Sequence, residues 1–253
     1  GPGASYINLR NTAETPRFTL PTLTYHEASP GHHFQIAVAL EAEGIPMLRK
    51  MPLFSGYTEG WALYAEQLAD EMGVYENDPL GRLGYLQSFM FPPAGPVADS
   101  GLHHKRWSRE QAVRYMVETL GDAESTMTTE VERYCVWPGQ ACSYKLGHTV
   151  WDRTRTAAKA AMGDRFDIRG FHDVALAAGA IPLQVLGRVG ADWAGGAPRG
   201  WRRGLAAISG GAPLPRAEAV GPAMIDRRRL LLTAAAGAAM GAAGPAFASV
   251  RNA

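Results

Sequence analysis

Only two cysteines, Cys135 and Cys142, occur in the 253 residues. So few exclude a disulfide-stapled fold. They lie seven residues apart in a stretch that reads as helix, about 10 Å along an unbroken axis, which is too far to bridge. Both are expected as buried free thiols. Strand-like alternation is missing as well, which argues against a sheet. A general excess of positive charge is also lacking. The net charge is +1, but Pro198 to Ala253 alone carries +6, with eight arginines against Glu218 and Asp226, leaving about −5 elsewhere. A mildly acidic body argues against nucleic acid as a partner, and no stable membrane association is expected of it.

An initiator methionine is absent too. The chain opens on Gly1-Pro2-Gly3, and its first chemical signal comes about 25 residues later, so a helical lobe is expected to be missing ahead of it. At the other end, residues 195–223 are rich in Gly, Ala and Pro and read as a linker. Residues 224–253 then combine Arg227-Arg228-Arg229, an apolar run and Ala246-Phe247-Ala248. That is the pattern of a twin-arginine signal, here at the wrong end. A fused neighbouring reading frame is the favoured reading of this tail, and a weak C-terminal membrane anchor the other. Localisation stays open between the cytoplasm, which is favoured, and export.

What is present is helix signal. Phe34 to Ala42 is apolar-rich and stops at Gly44 and Pro46. Tyr57 to Met72 has good helix formers and ends at Gly73. Asp78-Pro79 caps and opens a helix, and Ser108 with Gln111 forms a capping box. Further runs cover Asp122 to Cys135, Gln140 to Met162, Asp167 to Ala178, and a last helix opened by Ile181-Pro182. The fold class is all-α.

The chemistry concentrates in Tyr25-His26-Glu27-Ala28-Ser29-Pro30-Gly31-His32-His33-Phe34-Gln35. Imidazoles and carboxylates suit Zn²⁺, which takes three protein ligands and one open position in catalytic sites. His26-Glu27 is the opening of an H-E-x-x-H motif, in which the histidine binds metal and the glutamate works as the base. The second half is displaced, because Pro30 stands where the second histidine would be. On a straight helix His32 and His33 would lie about 9 and 10.5 Å along the axis from His26. Pro30 and Gly31 allow a break that draws one of them back. Helical rotation favours His33 and a wider loop favours His32, so both stay candidates. The third ligand is expected from the next helix. Glu59 follows the histidines by about 26 residues, enough for a helix, a turn and an antiparallel return. Glu66, two turns later, is placed to orient a ligand from behind. The site is therefore expected between two antiparallel helices.

These segments resemble the bacterial DUF885 family, grouped with the zincin-like metallopeptidases. The resemblance rests on Tyr25–Gln35, Thr58–Glu66, Pro138–Tyr144, Phe171–Asp173 and Gly179–Leu183, in register over roughly residues 5 to 194. Glu59-Gly60 is also similar to the N-E-G-F-A segment of gluzincin aminopeptidases, where the glutamate ligates zinc. The resemblance implies that residues 1–194 are the C-terminal part of a helical metallopeptidase domain. It also implies a continuous helix where Phe89–Pro96 carries three prolines and a glycine. Those residues are expected to break it, leaving the wall near Asp99, Gly101 and His103 in doubt.

The function expected is zinc-dependent hydrolysis of short peptides, as a carboxypeptidase, dipeptidase or oligopeptidase. Glu27 would activate water at the metal, and Tyr144 would donate to the oxyanion. Arg133 and Lys145 are candidates for a substrate carboxylate, and His172 for a substrate contact. The alternatives are an inactive remnant that keeps the zinc-site fold and a zinc hydrolase of a non-peptide amide.

Overall fold

In the computed structural model, residue 12 and residues 15–196 are described. The linker beyond Gly196 and the signal-like tail lie outside the described residues. Those described form helices without any strand. In order these are α1 (Leu20–Glu27), α2 (His32–Glu41), α3 (Met47–Lys50), α4 (Ser55–Glu71), α5 (Pro79–His103), α6 (Arg109–Leu120), α7 (Glu124–Val136), α8 (Gln140–Met162), α9 (Ile168–Leu176) and α10 (Leu183–Ala194).

Local chemistry sets many boundaries. Asp78 accepts from Gly81 N at 2.8 Å and opens α5 with Pro79 at its first position. Ser108 accepts from Gln111 N, and Asp167 from Arg169 N and Gly170 N. These side chains satisfy amide protons that the first helical turn leaves without partners. Gly121 ends α6 in the left-handed region, where a side chain would be strained.

The central pair is α4 against α8. The two backbones meet at glycines. A Cβ on Gly60 would lie 2.4 Å from the Gly147 carbonyl carbon, and one on Gly147 would lie 2.0 Å from the Gly56 oxygen. Only glycine permits this approach, and it lets Trp61, Tyr64 and Trp151 interlock beside it. Trp61 and Trp151 ring centroids are 5.0 Å apart. Trp151 Nε1 donates to the Tyr57 carbonyl at 3.0 Å. Phe171 of α9 and Leu186 of α10 complete this core. Each large aromatic buried here contributes about 4–6 kcal/mol of transfer free energy before entropy is counted. A second core joins α5, α6 and α7 through Ala98, Met116, Met127 and Val131.

Two expectations fail here. The α5 helix runs unbroken through Pro92, Pro93 and Pro96. Each proline removes one helical hydrogen bond, but packing holds the segment in place. Ala94 and Ala98 are buried, and Gly95 sits against Ala141 and Tyr134. The wall beyond is tied down: Gly139 N donates to Asp99 at 2.8 Å, and His103 Nε2 lies 3.0 Å from the Tyr134 carbonyl. A Cβ on Gly101 would strike the Trp107 ring at 2.3 Å. The cysteines also differ from expectation, since Cys135 is exposed and Cys142 half-buried. The chain turns at Pro138-Gly139 between α7 and α8, so no continuous helix carries both.

None of the described helices is long and apolar enough to cross a membrane.

One buried titratable group gives the fold an acid sensitivity. His172 is packed among Trp61, Tyr64 and Phe171, with Nε2 2.9 Å from the Tyr64 hydroxyl. Burial, and then the Arg155 charge, push its pKa down to about 3. The unfolded chain takes up this proton near pH 6.5, while the folded chain refuses it until about 3. Its stability contribution is therefore complete above about pH 6.5 and is lost as pH falls toward 3. Between pH 7 and 5, wild type should lose about 2 kcal/mol more than His172→Gln, measured by urea unfolding. Parallel pH curves for the two would contradict this.

Candidate metal centre

His26 occupies the last turn of α1, which ends one residue later at Glu27. The chain then folds back sharply through a cis Ser29–Pro30 peptide, and α2 opens at His32. Gly31 makes the return possible by close approach. A Cβ there would lie 1.8 Å from the His26 carbonyl oxygen and 2.4 Å from that of Tyr25. Trp61 of α4 pins the turn, with Nε1 donating to the Pro30 carbonyl at 2.8 Å. The two histidine rings end edge to face, with centroids 4.8 Å apart.

Glu59 of α4 meets both. Its Oε2 is 3.2 Å from His32 Nε2 and 3.7 Å from His26 Nε2. Ligand atoms from all three residues lie within 4.8 Å of one another. This turn selects His32 over His33, which is exposed and outside the group. Behind His26, Nδ1 donates to Glu66 Oε1 at 2.8 Å, and the other Glu66 oxygen accepts from Thr22 Oγ1 at 2.5 Å. Glu66 is 1 % exposed. Thr22 escaped sequence reasoning, although it stands four residues before His26 and so on the same helical face.

These groups bias one another strongly. Burial opposes charge on His26, but hydrogen bonds to Glu59 and Glu66 and their charges outweigh it, pushing its pKa up to about 10. Burial likewise opposes the Glu59 carboxylate, while His26 and His32 pull it down to about 2. Without a metal, Glu59 is thus ionised and paired with the His26 and His32 rings.

The donor set fits zinc. Two nitrogens and one oxygen match a His₂Glu catalytic site, and ligand bonds of about 2.0–2.1 Å at tetrahedral angles put donors about 3.3 Å apart. The 3.2 and 3.7 Å separations straddle that value. Glu66 fixes His26 with Nε2 toward the cluster, as the outer carboxylate of a metal-bound histidine does.

The other expected residues separate into near and far. Tyr144 of α8 lies over His26, with ring centroids 6.4 Å apart and planes 24° from parallel. Burial, with the Glu59 charge second, raises its pKa, so its phenol keeps its proton at neutral pH. Gln140 Nε2 donates to the Tyr144 oxygen at 3.4 Å. Glu27 is exposed at the end of α1, next to His26 in sequence. Arg133 is paired by both guanidinium edges, with Glu130 and with Gln140. Lys145 sits over the Phe89 ring at 5.2 Å. His172 belongs to the core described above and does not reach the cluster.

Comparison with known proteins gives a family without an activity. The family described as "Bacterial protein of unknown function (DUF885)" matches residues 1–189. A solved structure from Colwellia psychrerythraea, described as a "putative lipoprotein", superposes with a TM-score of 0.73 at 53% identity, over 75% of this chain and 32% of that one. Another from Shewanella oneidensis, described in the same words with unknown function, gives a TM-score of 0.63 at 27% identity over 70% of this chain. This chain spans about a third, 32%, of the length of each. No curated protein matches.

Proposed function

This chain belongs to the DUF885 family, and we propose that it forms the zinc-binding part of a metallopeptidase acting on short peptides. One observation carries the proposal: His26, His32 and Glu59 bring three ligand atoms within 4.8 Å of one another on three separate helices. Zincin-like membership and a place in the C-terminal part of a longer enzyme belong to the same proposal, as does export, which the description of both relatives as lipoproteins supports.

His26, His32 and Glu59 would hold the metal. When bound, zinc supplies Lewis acidity toward a carbonyl oxygen and makes water acidic enough to react near neutral pH. Glu66 and Thr22 keep His26 in one tautomer and one orientation. Glu27 takes the proton of the attacking water on its carboxylate and delivers it to the departing amine, which leaves with a complete N–H. Tyr144 donates its O–H to the oxygen that gains charge as the carbonyl becomes tetrahedral. The Gln140 amide, itself held by Arg133, restrains the Tyr144 oxygen.

The test is direct. The full chain loaded with zinc is expected to cleave members of a short-peptide library followed by mass spectrometry, and chelation should abolish cleavage until zinc is restored. A full zinc complement with no cleavage of any peptide, or cleavage of non-peptide amides alone, would overturn the peptidase reading.

A further inference from the structure

Helix α5 carries apolar side chains on two faces. One face packs inward through Tyr85, Ala94 and Ala98. The other lies open. Leu83, Leu86, Met90 and Val97 are 51%, 50%, 53% and 43% exposed, and Pro93 is exposed between them. On a helical wheel these five positions fall within an arc of about 80°. Their spacing alternates three and four residues, the repeat of a helix–helix seam. From Leu83 to Val97 the seam runs about 21 Å, close to four turns.

Charge is missing from this face. Between Arg82 and Asp99 the helix has no charged residue. Arg82 pairs with Asp70 at 3.2 Å, and Asp99 is buried on the Gly139 amide. The neighbouring α6 shows how this chain makes a face for water, with Arg109, Glu110, Arg114 and Glu118 all exposed. A helix that is apolar on both faces belongs in an interior. Among the described residues nothing buries the seam of α5, whose side chains stay about half exposed.

A second copy of the chain fits poorly in area. A strip about 21 Å long and one helix wide, about 10 Å, offers roughly 210 Å², a quarter of the about 800 Å² per partner that a stable interface takes. The relatives point to another occupant. This chain matches 32% of each, so about two thirds of each relative lies outside the match. We propose that the exposed face of α5 docks a helix equivalent to one in those two thirds. The occupant carries its own uncharged three–four apolar repeat over about four turns and crosses α5 at about +20°. A lobe around that helix supplies the area that the seam alone lacks. The inference does not rest on the metallopeptidase reading, and zinc has no part in it.

Hydroxyl-radical footprinting, read by mass spectrometry, tests the face on this full chain and on the intact Colwellia psychrerythraea protein. Each rate is divided by that of the same residue in the urea-unfolded protein, which cancels differences in side-chain reactivity. Sedimentation velocity on the same samples gives the oligomeric state. In this chain, as a monomer, Leu83, Leu86, Met90 and Val97 are expected to react as exposed side chains, with Met116 as the buried control. The aligned positions of the relative should react about tenfold less, the step from half exposed to the under about 5% of a core residue. Leu86→Glu with Met90→Glu should leave the unfolding temperature of this chain unchanged, while glutamates at the aligned positions of the relative should restore reaction at their neighbours. Equal reaction in the two proteins overturns the proposal. Protection in this chain overturns it as well: in a dimer the occupant is a second copy, and in a monomer it is this chain's own residues.

Discussion

Replacing Gly31 with alanine is expected to lower zinc affinity at least about 100-fold and to cost more than about 3 kcal/mol of stability. The cause is lack of space. The added methyl would lie 1.8 Å from the His26 carbonyl oxygen and 2.4 Å from that of Tyr25, and both are backbone atoms that cannot swing aside. The chain must therefore open the turn between α1 and α2. Opening it moves His32 away from His26 and Glu59, and it strains the hydrogen bond from Trp61 to Pro30. Both rings of the proposed site depend on that turn. Gly187→Ala is the matched control, because it sits within α10 with nothing within 4 Å of a Cβ, and it should be neutral or stabilising by up to about 1 kcal/mol. Zinc titration and thermal unfolding of the two variants provide the comparison. Wild-type zinc affinity in Gly31→Ala would mean that the turn does not assemble the site.

Glu27→Gln is expected to lower turnover of a cleaved peptide by about 100- to 10,000-fold while leaving zinc content unchanged. The amide keeps the size of the side chain but cannot take a proton from water. Glu27 sits outside the three-ligand group, and its side chain is exposed. Losing its charge should therefore affect neither metal nor fold. Substrate affinity should change little, so the loss should appear in kcat rather than in KM. Tyr144→Phe supplies the graded comparison, since it removes one oxyanion donor and leaves the base. Unimpaired turnover in Glu27→Gln would assign the base elsewhere and leave Glu27 as an exposed helix end.

How much was legible beforehand follows from how local each feature is. The starts of α5, α6, α8 and α9 could be read because their caps and prolines act within four residues. The continuity of α5 could not, because it is decided by α6, α7 and α8 pressing on Ala94, Gly95 and Ala98, which are distant in sequence. His26, Glu59 and Glu66 were readable from residue type and spacing. The choice between His32 and His33 was not, since it depends on how tightly the chain turns at Gly31. A straight-helix rotation pointed to the other residue. Arg133 shows a signal present but unused. Glu130 stands three residues earlier on the same helical face, the spacing of an ion pair, and that pair engages the guanidinium.

Elemental analysis of the purified full chain tests most directly whether His26, His32 and Glu59 hold one zinc ion. The expected result is about one zinc per wild-type chain, none in Glu59→Ala or His32→Ala, and wild-type content in His33→Ala. Zinc absent from well-folded wild type, or retained by Glu59→Ala and lost from His33→Ala, would contradict it.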